Sequence, residues 1–250
     1  VLPELLLVLA EQPEVQDQVI MLLFSQGMYV EAIRVLELAV EHFPDSHSAW
    51  LNLARARSEL GEMTGAKKDA SRALKLQETG EVHVLLGDIS EKLEQPLVAL
   101  DHYQQAVRLD PSETNLYALG YEFLAHWNWA AAEQVFERGL EQQPESWRLW
   151  VGFGAAALGK NESSKAAPRF LKAIEFVPDG LLSYHLLSQS FDQAPQVFDE
   201  AVSRFKQFFL DHPENPWAGY YQALASFRAA LKAGHSDHLQ EAISLLKGVI

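Results

Sequence analysis

The sequence predicts an all-α solenoid made of a short helix pair repeated along the chain. Three observations carry that expectation. A phrase ending in proline returns at a nearly constant interval, small residues return in register with it, and the apolar spacing has the period of a helix. The phrase runs Leu38-Ala39-Val40-Glu41-His42-Phe43-Pro44 and recurs at Gln105 to Pro111, Glu137 to Pro144, Lys172 to Pro178 and Phe209 to Pro213. Glu78 stands where the sixth proline belongs, and successive ends are 34, 33, 33, 34 and 35 residues apart.

Each repeat then divides in two. Twelve residues before each end lies Ala32, Ala66, Ala99, Ala132, Ala166 or Ala201. Four residues further on lies Leu36, Tyr103, Phe136, Phe170 or Phe205, with Ala70 the exception. The first half of the unit carries its own small residue, Ala54, Gly87, Gly120, Gly154 or Ser188. Four residues before that small one comes Trp50, His83, Leu116, Trp150 or Tyr184. Small residues mark where two helices cross closely, and the large ones fill the adjoining groove. The prolines stop the second helix and launch the next unit, because the residue before proline disfavours the α region.

In order, the spacing predicts a half repeat over 1–13, ending at Pro13, as the start of one array covering 1–250. Repeats follow at 14–44, 45–78, 79–111, 112–144, 145–178, 179–213 and 214–250. In the repeat over 145–178, Pro168 falls inside the second helix, which is expected to start late with Ser163 or Ser164 as cap, or to kink. The final unit opens with a long helix from Trp217 to about Ala233 and turns at Gly234 to His238. Its end, Leu245 to Ile250, is apolar and uncapped, so further chain or a partner is expected to cover it.

The residues resemble the tetratricopeptide repeat family, whose pattern is W-x₂-L-G-x₂-Y…A-x₃-F…P over about 34 residues. Trp50-Leu51-Asn52-Leu53-Ala54, Trp150-Val151-Gly152-Phe153-Gly154 and Tyr29 to Leu36 after Gly27 match it closely. The resemblance covers nearly the whole chain and implies an α-solenoid wound as a right-handed superhelix, with a concave groove for a protein ligand. It also implies a test. Co-chaperone members hold a peptide C-terminal carboxylate with Lys, Asn and Arg side chains, but the matching positions here are Asp17, Met21, Asn52, Glu81 and Leu85. Only Asn52 agrees, which disfavours that clamp.

Composition narrows the function classes. The 250 residues include 20 Lys+Arg against 34 Asp+Glu, a formal charge of −14, which repels phosphate surfaces and argues against nucleic acid or anionic membranes. With no Cys, thiol catalysis, disulfides and Cys–zinc sites are excluded. No signal peptide or membrane-spanning segment is expected, so the chain reads as soluble, with a bacterial cytoplasm or periplasm both open. No phosphate-binding loop, dinucleotide fingerprint, nucleophile elbow or metalloprotease motif occurs. No enzymatic activity, cofactor or metal is expected. His235 and His238 stand three apart in a turn and read as solvated or capping residues, and His83 is expected to pack.

The candidate site is the inner face of the first helices. The resemblance places residues one, five and eight after the Trp-like position in the groove: Leu51, Arg55 and Ser58, then Val84, Asp88 and Glu91. Tyr117, Tyr121 and Leu124 follow, then Val151, Ala155 and Leu158, and finally His185, Gln189 and Asp192. Aromatic anchors offer large contact area at low rotamer cost, so Tyr117, Tyr121 and Leu124 with Val151 and Ala155 are the expected binding residues. Arg55 and Arg148 are placed to pair with acidic groups of a ligand. The same side chains serve equally as packing between helices, and Trp127, Trp129 and Trp147 read as packing rather than a cation cage. The expected function is a non-catalytic scaffold or adaptor that binds a peptide or partner helix. Its alternative is the recruiting or regulatory arm of a larger enzyme of glycosyltransferase, sulfotransferase or peptidase type. Self-association through the C-terminal helix is a third possibility.

Overall fold

In a computed structural model, residues 13–233, 240 and 242–244 are described. The expected half-repeat helix before residue 13, the turn at 234–238 with its two histidines and the apolar end at 245–250 lie outside the described residues. So does the C-terminal helix invoked for self-association, apart from residues 240 and 242–244. No strand occurs among the described residues.

First helices have a constant length of 13 residues: α1 Pro13–Ser25, α3 His47–Glu59, α5 Gly80–Lys92, α7 Glu113–Ala125 and α9 Trp147–Gly159. Second helices have 14: α2 Tyr29–His42, α4 Met63–Leu76, α6 Pro96–Leu109, α8 Trp129–Gln142, α10 Ser163–Phe176 and α12 Phe198–Asp211. The repeated alanine is the fourth residue of every second helix, so the register is common to all six. Two first helices depart from the rule, α11 Leu181–Ser188 and α13 Pro216–Ala233. The chain divides into two compact units, 1–118 and 119–250, and α7 carries the division.

Local chemistry explains the punctuation. Ser46, Thr79 and Ser146 cap α3, α5 and α9 by accepting from the backbone N–H three residues on, each at 3.2 or 3.3 Å. The repeated tryptophan has a polar role as well as an apolar one. Trp50 Nε1 donates to the Pro44 carbonyl at 2.8 Å, and Trp150 Nε1 does the same to Pro144 at 2.8 Å. The tryptophan therefore ties the start of its helix to the end of the preceding repeat.

Five first helices end in the same way. The backbone N–H of Met28, Glu62, Gln95, Asn128 or Glu162 returns to the carbonyl five residues earlier at 2.8 or 2.9 Å. The residue before each of these adopts a left-handed conformation: Gly27 at φ +68°, Gly61 at +81°, Glu94 at +58°, Trp127 at +57° and Asn161 at +59°. This is the closure expected of a Schellman motif, and glycine enters it without steric cost. Trp127 is 78% exposed, so it bears the strain without compensating burial. Trp127→Gly is expected to raise stability by about 1 kcal/mol, read as a higher urea midpoint by circular dichroism.

Small and large residues compensate one another across each helix pair. A Cβ on Gly87 would lie within 3.0 Å of the Tyr103 ring, and one on Gly154 would meet the Phe170 ring in the same way. Where the large position is only Ala70, the small position is Ala54 rather than glycine, and both are fully buried. The helices thus approach as closely as the groove filler requires. In the first unit, Ile20, Leu36, Leu53, Leu86, Ile89 and Leu116 are the largest fully buried side chains among the described residues.

The second unit has a continuous aromatic core over α10 to α13. Phe170, Tyr184, Phe191, Phe198, Phe205, Phe208 and Tyr221 belong to one buried cluster. Pro168 neither delays nor breaks α10. The helix runs from Ser163 in the common register, with Glu162 at its N-cap position and no side-chain cap, so neither serine caps it. A proline at this position leaves the Ser164 carbonyl without its helical donor, and Gln196 Nε2 supplies one at 2.6 Å. The real interruption is in α11, which stops at Ser188. There the Ser188 hydroxyl donates to the His185 carbonyl at 2.6 Å, and Ser190 turns its hydroxyl onto Leu186 and Leu187. A 3₁₀ turn, Phe191–Gln193, follows and puts Phe191 into the core, with ring centroids 5.4 Å from Phe198 and 5.3 Å from Phe205. Gln189 and Asp192, expected on the inner face of a full-length helix, therefore lie beyond its end.

Two charged clusters join neighbouring repeats. In the first unit Arg57 reaches Glu37, Glu62 and the buried carboxylate of Asp69. In the second unit Glu133 accepts from Lys160 Nζ at 2.7 Å and pairs with Arg169 at 2.8 Å. Burial raises the Glu133 carboxyl, but the bonds from Lys160 and Arg169 outweigh it and hold the group below its ordinary value. The Arg169 guanidinium also lies 3.3 Å from the centroid of the Phe153 ring.

Candidate functional site

The first helices of each repeat carry the expected binding residues, and the two units differ in character. In the first unit a recess of about 300 Å³ is lined by Arg55 of α3, Glu81, Val84, Leu85 and Asp88 of α5, and Asp110, Ser112, Thr114 and Asn115 around the α6–α7 connection. The connection is held by Asn115, 4% exposed, whose Nδ2 donates to the Asp110 carbonyl at 2.7 Å and the Ala106 carbonyl at 3.3 Å. Arg55 does not offer a free cation, because its guanidinium forms an ion pair with Glu81 across α3 and α5. Asp88 accepts from the Tyr103 hydroxyl at 2.6 Å. Although Asp88 is exposed as a residue, desolvation around its carboxyl raises it above the ordinary value, and the Tyr103 bond with the charges of Lys92 and Arg55 only partly offsets that.

In the second unit Tyr121 of α7 is 58% exposed, the most open of the expected anchors. Leu124 and Ala155 are half-buried, as is Tyr117 on the first-unit side of α7. Val151 departs from expectation at 5% exposure: it is a core residue, not an open lining residue. Its counterpart Leu51 is 4% exposed and packs with Val82 and Leu85, so this position is turned toward neighbouring helices. Arg148 is exposed at the start of α9, with its guanidinium 5.7 Å from the Trp147 ring centroid. Trp129 packs on Gly159, whereas Trp127 stands in solvent.

His83 packs as expected, at 5% exposure, with Nδ1 3.0 Å from His102 Nδ1 and Nε2 3.1 Å from Glu78. Burial, then the charge of His83, lowers the pKa of His102. Sequence reading did not single out two features. One is the contribution of Asp110, Ser112 and Thr114 to the recess, which depends on how the connection folds back. The other is an open stripe on α13, where Trp217, Tyr220, Phe227 and Leu231 are 52%, 41%, 37% and 61% exposed. Their helical spacing was visible in the sequence, but which face of α13 is covered was not.

Paired helices in one register, tied by repeated caps and tryptophan–proline bonds, define an all-helical repeat protein. Tetratricopeptide repeat profiles match residues 13–56, 47–79, 80–113 and 117–180, and the chain belongs to the tetratricopeptide repeat family. Human protein O-mannosyl-transferase TMTC1 is 24% identical over 182 residues, 69% of this chain and 20% of that protein. The chain thus spans about a fifth of that relative's length. The C-terminal part of a tetratricopeptide repeat protein from Cytophaga hutchinsonii has a similar fold, with TM-score 0.71 and 19% identity, covering 93% of this chain and 94% of that one. YrrB, described as a tetratricopeptide repeat protein with an unusual peptide-binding site, is 26% identical with TM-score 0.52, covering 66% of this chain and 87% of that one. Among the described residues, no helix is long and apolar enough to cross a membrane.

Proposed function

We propose that the protein is a non-catalytic binding scaffold that takes an extended peptide or partner helix on its first-helix face. The observation that carries this is Tyr121: a large aromatic, 58% exposed, on a first helix of a tetratricopeptide repeat array. Within the second unit, Leu124 and Ala155 supply further contact surface, and Arg148 a charge for an acidic group of the ligand. The similarity to YrrB, with its peptide-binding site, supports the same reading. Removing the two most useful anchors together, Tyr121→Ala with Leu124→Ala, is expected to weaken capture of the physiological partner by more than tenfold while the helical spectrum stays unchanged. The reading fails if the double variant binds its partner, recovered by affinity purification and mass spectrometry, as tightly as the parent chain.

A second reading is favoured by one finding, the match to TMTC1, in which the matched segment is a fifth of a longer protein named as a transferase. The array then acts as the recruiting arm of a larger enzyme. Sequencing the complete gene product tests this, because a catalytic domain in the same polypeptide is required.

A further inference from the structure

We propose that the recess of the first unit receives one cationic side chain, a lysine or arginine, from a basic peptide segment. This deepens the binding-scaffold reading and rests on it. The argument begins with the charges that line the recess. Arg55 is paired with Glu81 and reaches Asp88 only through its Coulomb field, so the carboxylates of the lining outnumber its one cation. One Arg against Glu81, Asp88 and Asp110 gives the lining a formal charge of −2.

The geometry orients what remains. Tyr103 donates to Asp88 Oδ1 at 2.6 Å, and Oδ2 retains acceptor capacity. Lys92, one turn along α5, attracts the Asp88 carboxylate through its Coulomb field but forms no ion pair with it, and its ammonium donates to Ser58 Oγ at 3.2 Å. Asp110 is held only by a long contact, Asn115 Nδ2 to Oδ2 at 3.4 Å, so its carboxylate also retains acceptor capacity. Ser112 and Thr114 add hydroxyl acceptors on the same side, and Val84 and Leu85 form the apolar part of the lining. A long basic side chain satisfies both parts: its methylene stem lies along Val84 and Leu85, and its head is bound by carboxylates and hydroxyls. An acidic side chain would face two carboxylates and find only an arginine already engaged by Glu81. A volume of about 300 Å³ is at the lower end of ligand pockets, the scale of one side chain with its flanking backbone.

The test uses two blocked pentapeptide probes, acetyl-Ala-Ala-Arg-Ala-Ala-amide and its glutamate counterpart, titrated into the isotope-labelled full chain and followed by amide NMR. The arginine probe is expected to shift the amides of Val84, Asp88 and Thr114 saturably, and the glutamate probe to leave them unmoved. Asp88→Asn keeps an acceptor for Tyr103, so the fold is retained while the charge is lost. It should weaken the arginine probe by about tenfold, and 0.5 M salt should weaken it further. Equal response to both probes, shifts that avoid these residues, or an unchanged affinity in Asp88→Asn would overturn the inference. The anchor variant Tyr121→Ala with Leu124→Ala separates the two readings. Partner binding that depends on those anchors but not on Asp88 sinks the recess alone, whereas partner binding independent of both sinks the scaffold reading too.

Discussion

Phe136→Ala is expected to lower the unfolding free energy by about 3–5 kcal/mol, because it empties a site enclosed on both sides. Phe136 is fully buried on α8, and its ring lies against Gly120 of α7 and Gly152 of α9. A Cβ on either glycine would fall inside 3.0 Å of the ring carbons, so the ring takes up the space both glycines leave. It therefore holds its own repeat together and couples it to the next. The converse variant, Gly152→Ala, overpacks the same site and should cost about 1–3 kcal/mol. The two changes share one volume, so they should not add. Gly152→Ala in a Phe136→Leu background is expected to cost at least about 0.5 kcal/mol less than in the parent. Urea unfolding of the four proteins measures this, and strict additivity would show that the ring and the glycines do not meet.

Arg57→Ala should destabilise the first unit by about 3–5 kcal/mol at pH 7, since it leaves the Asp69 carboxylate buried and uncompensated. Asp69 has a side-chain exposure of 3%, and Arg57 bonds it while also reaching Glu37 and Glu62. Burial already holds the Asp69 carboxyl above its ordinary value despite the pull of Arg57. Without Arg57 the carboxyl rises further, so the native state binds a proton more tightly than the unfolded chain does. The sign follows directly: stability is present below the unfolded-state value of about 3.9 and is lost as pH rises through the folded-state value. The deficit of Arg57→Ala should therefore shrink between pH 7 and pH 5. Adding Asp69→Ala should restore part of the loss, because no charge is then left buried. A deficit that is the same at both pH values, with no recovery in the double variant, would show that Arg57 acts only through the packing of its side chain.

The repeat itself was legible because its constraints are local. Pro44, Pro111 and Pro144 end helices by their own covalent geometry, and Ser46, Thr79 and Ser146 start the next ones with bonds that span three residues. The small and large positions were legible as a pattern, and the pairing of Ala54 with Ala70 shows why the one exception in the series is tolerated. The expected binding face was less legible. The Trp-like register placed Val151 in the groove beside Tyr121, yet a helix position does not reveal how much of it the next helix covers. Arg55 read as a free cation because Glu81, its partner, lies 26 residues away. Pro168 read as a late start or a kink because the donor that answers it, Gln196, lies 32 residues from the freed carbonyl of Ser164.

Sequence alone determined the family, the helix register and the turn at Gly27, since proline, glycine, capping residues and helical periodicity act within one or two turns of chain. Tertiary structure alone decided which side chains remain open. Burial of Val151, the Arg55–Glu81 pair, the seat of Phe191 and the acidic recess around Asp88 all arise between segments distant in sequence. Their energies depend on solvent exclusion and charge separation in space, quantities that spacing along the chain does not carry.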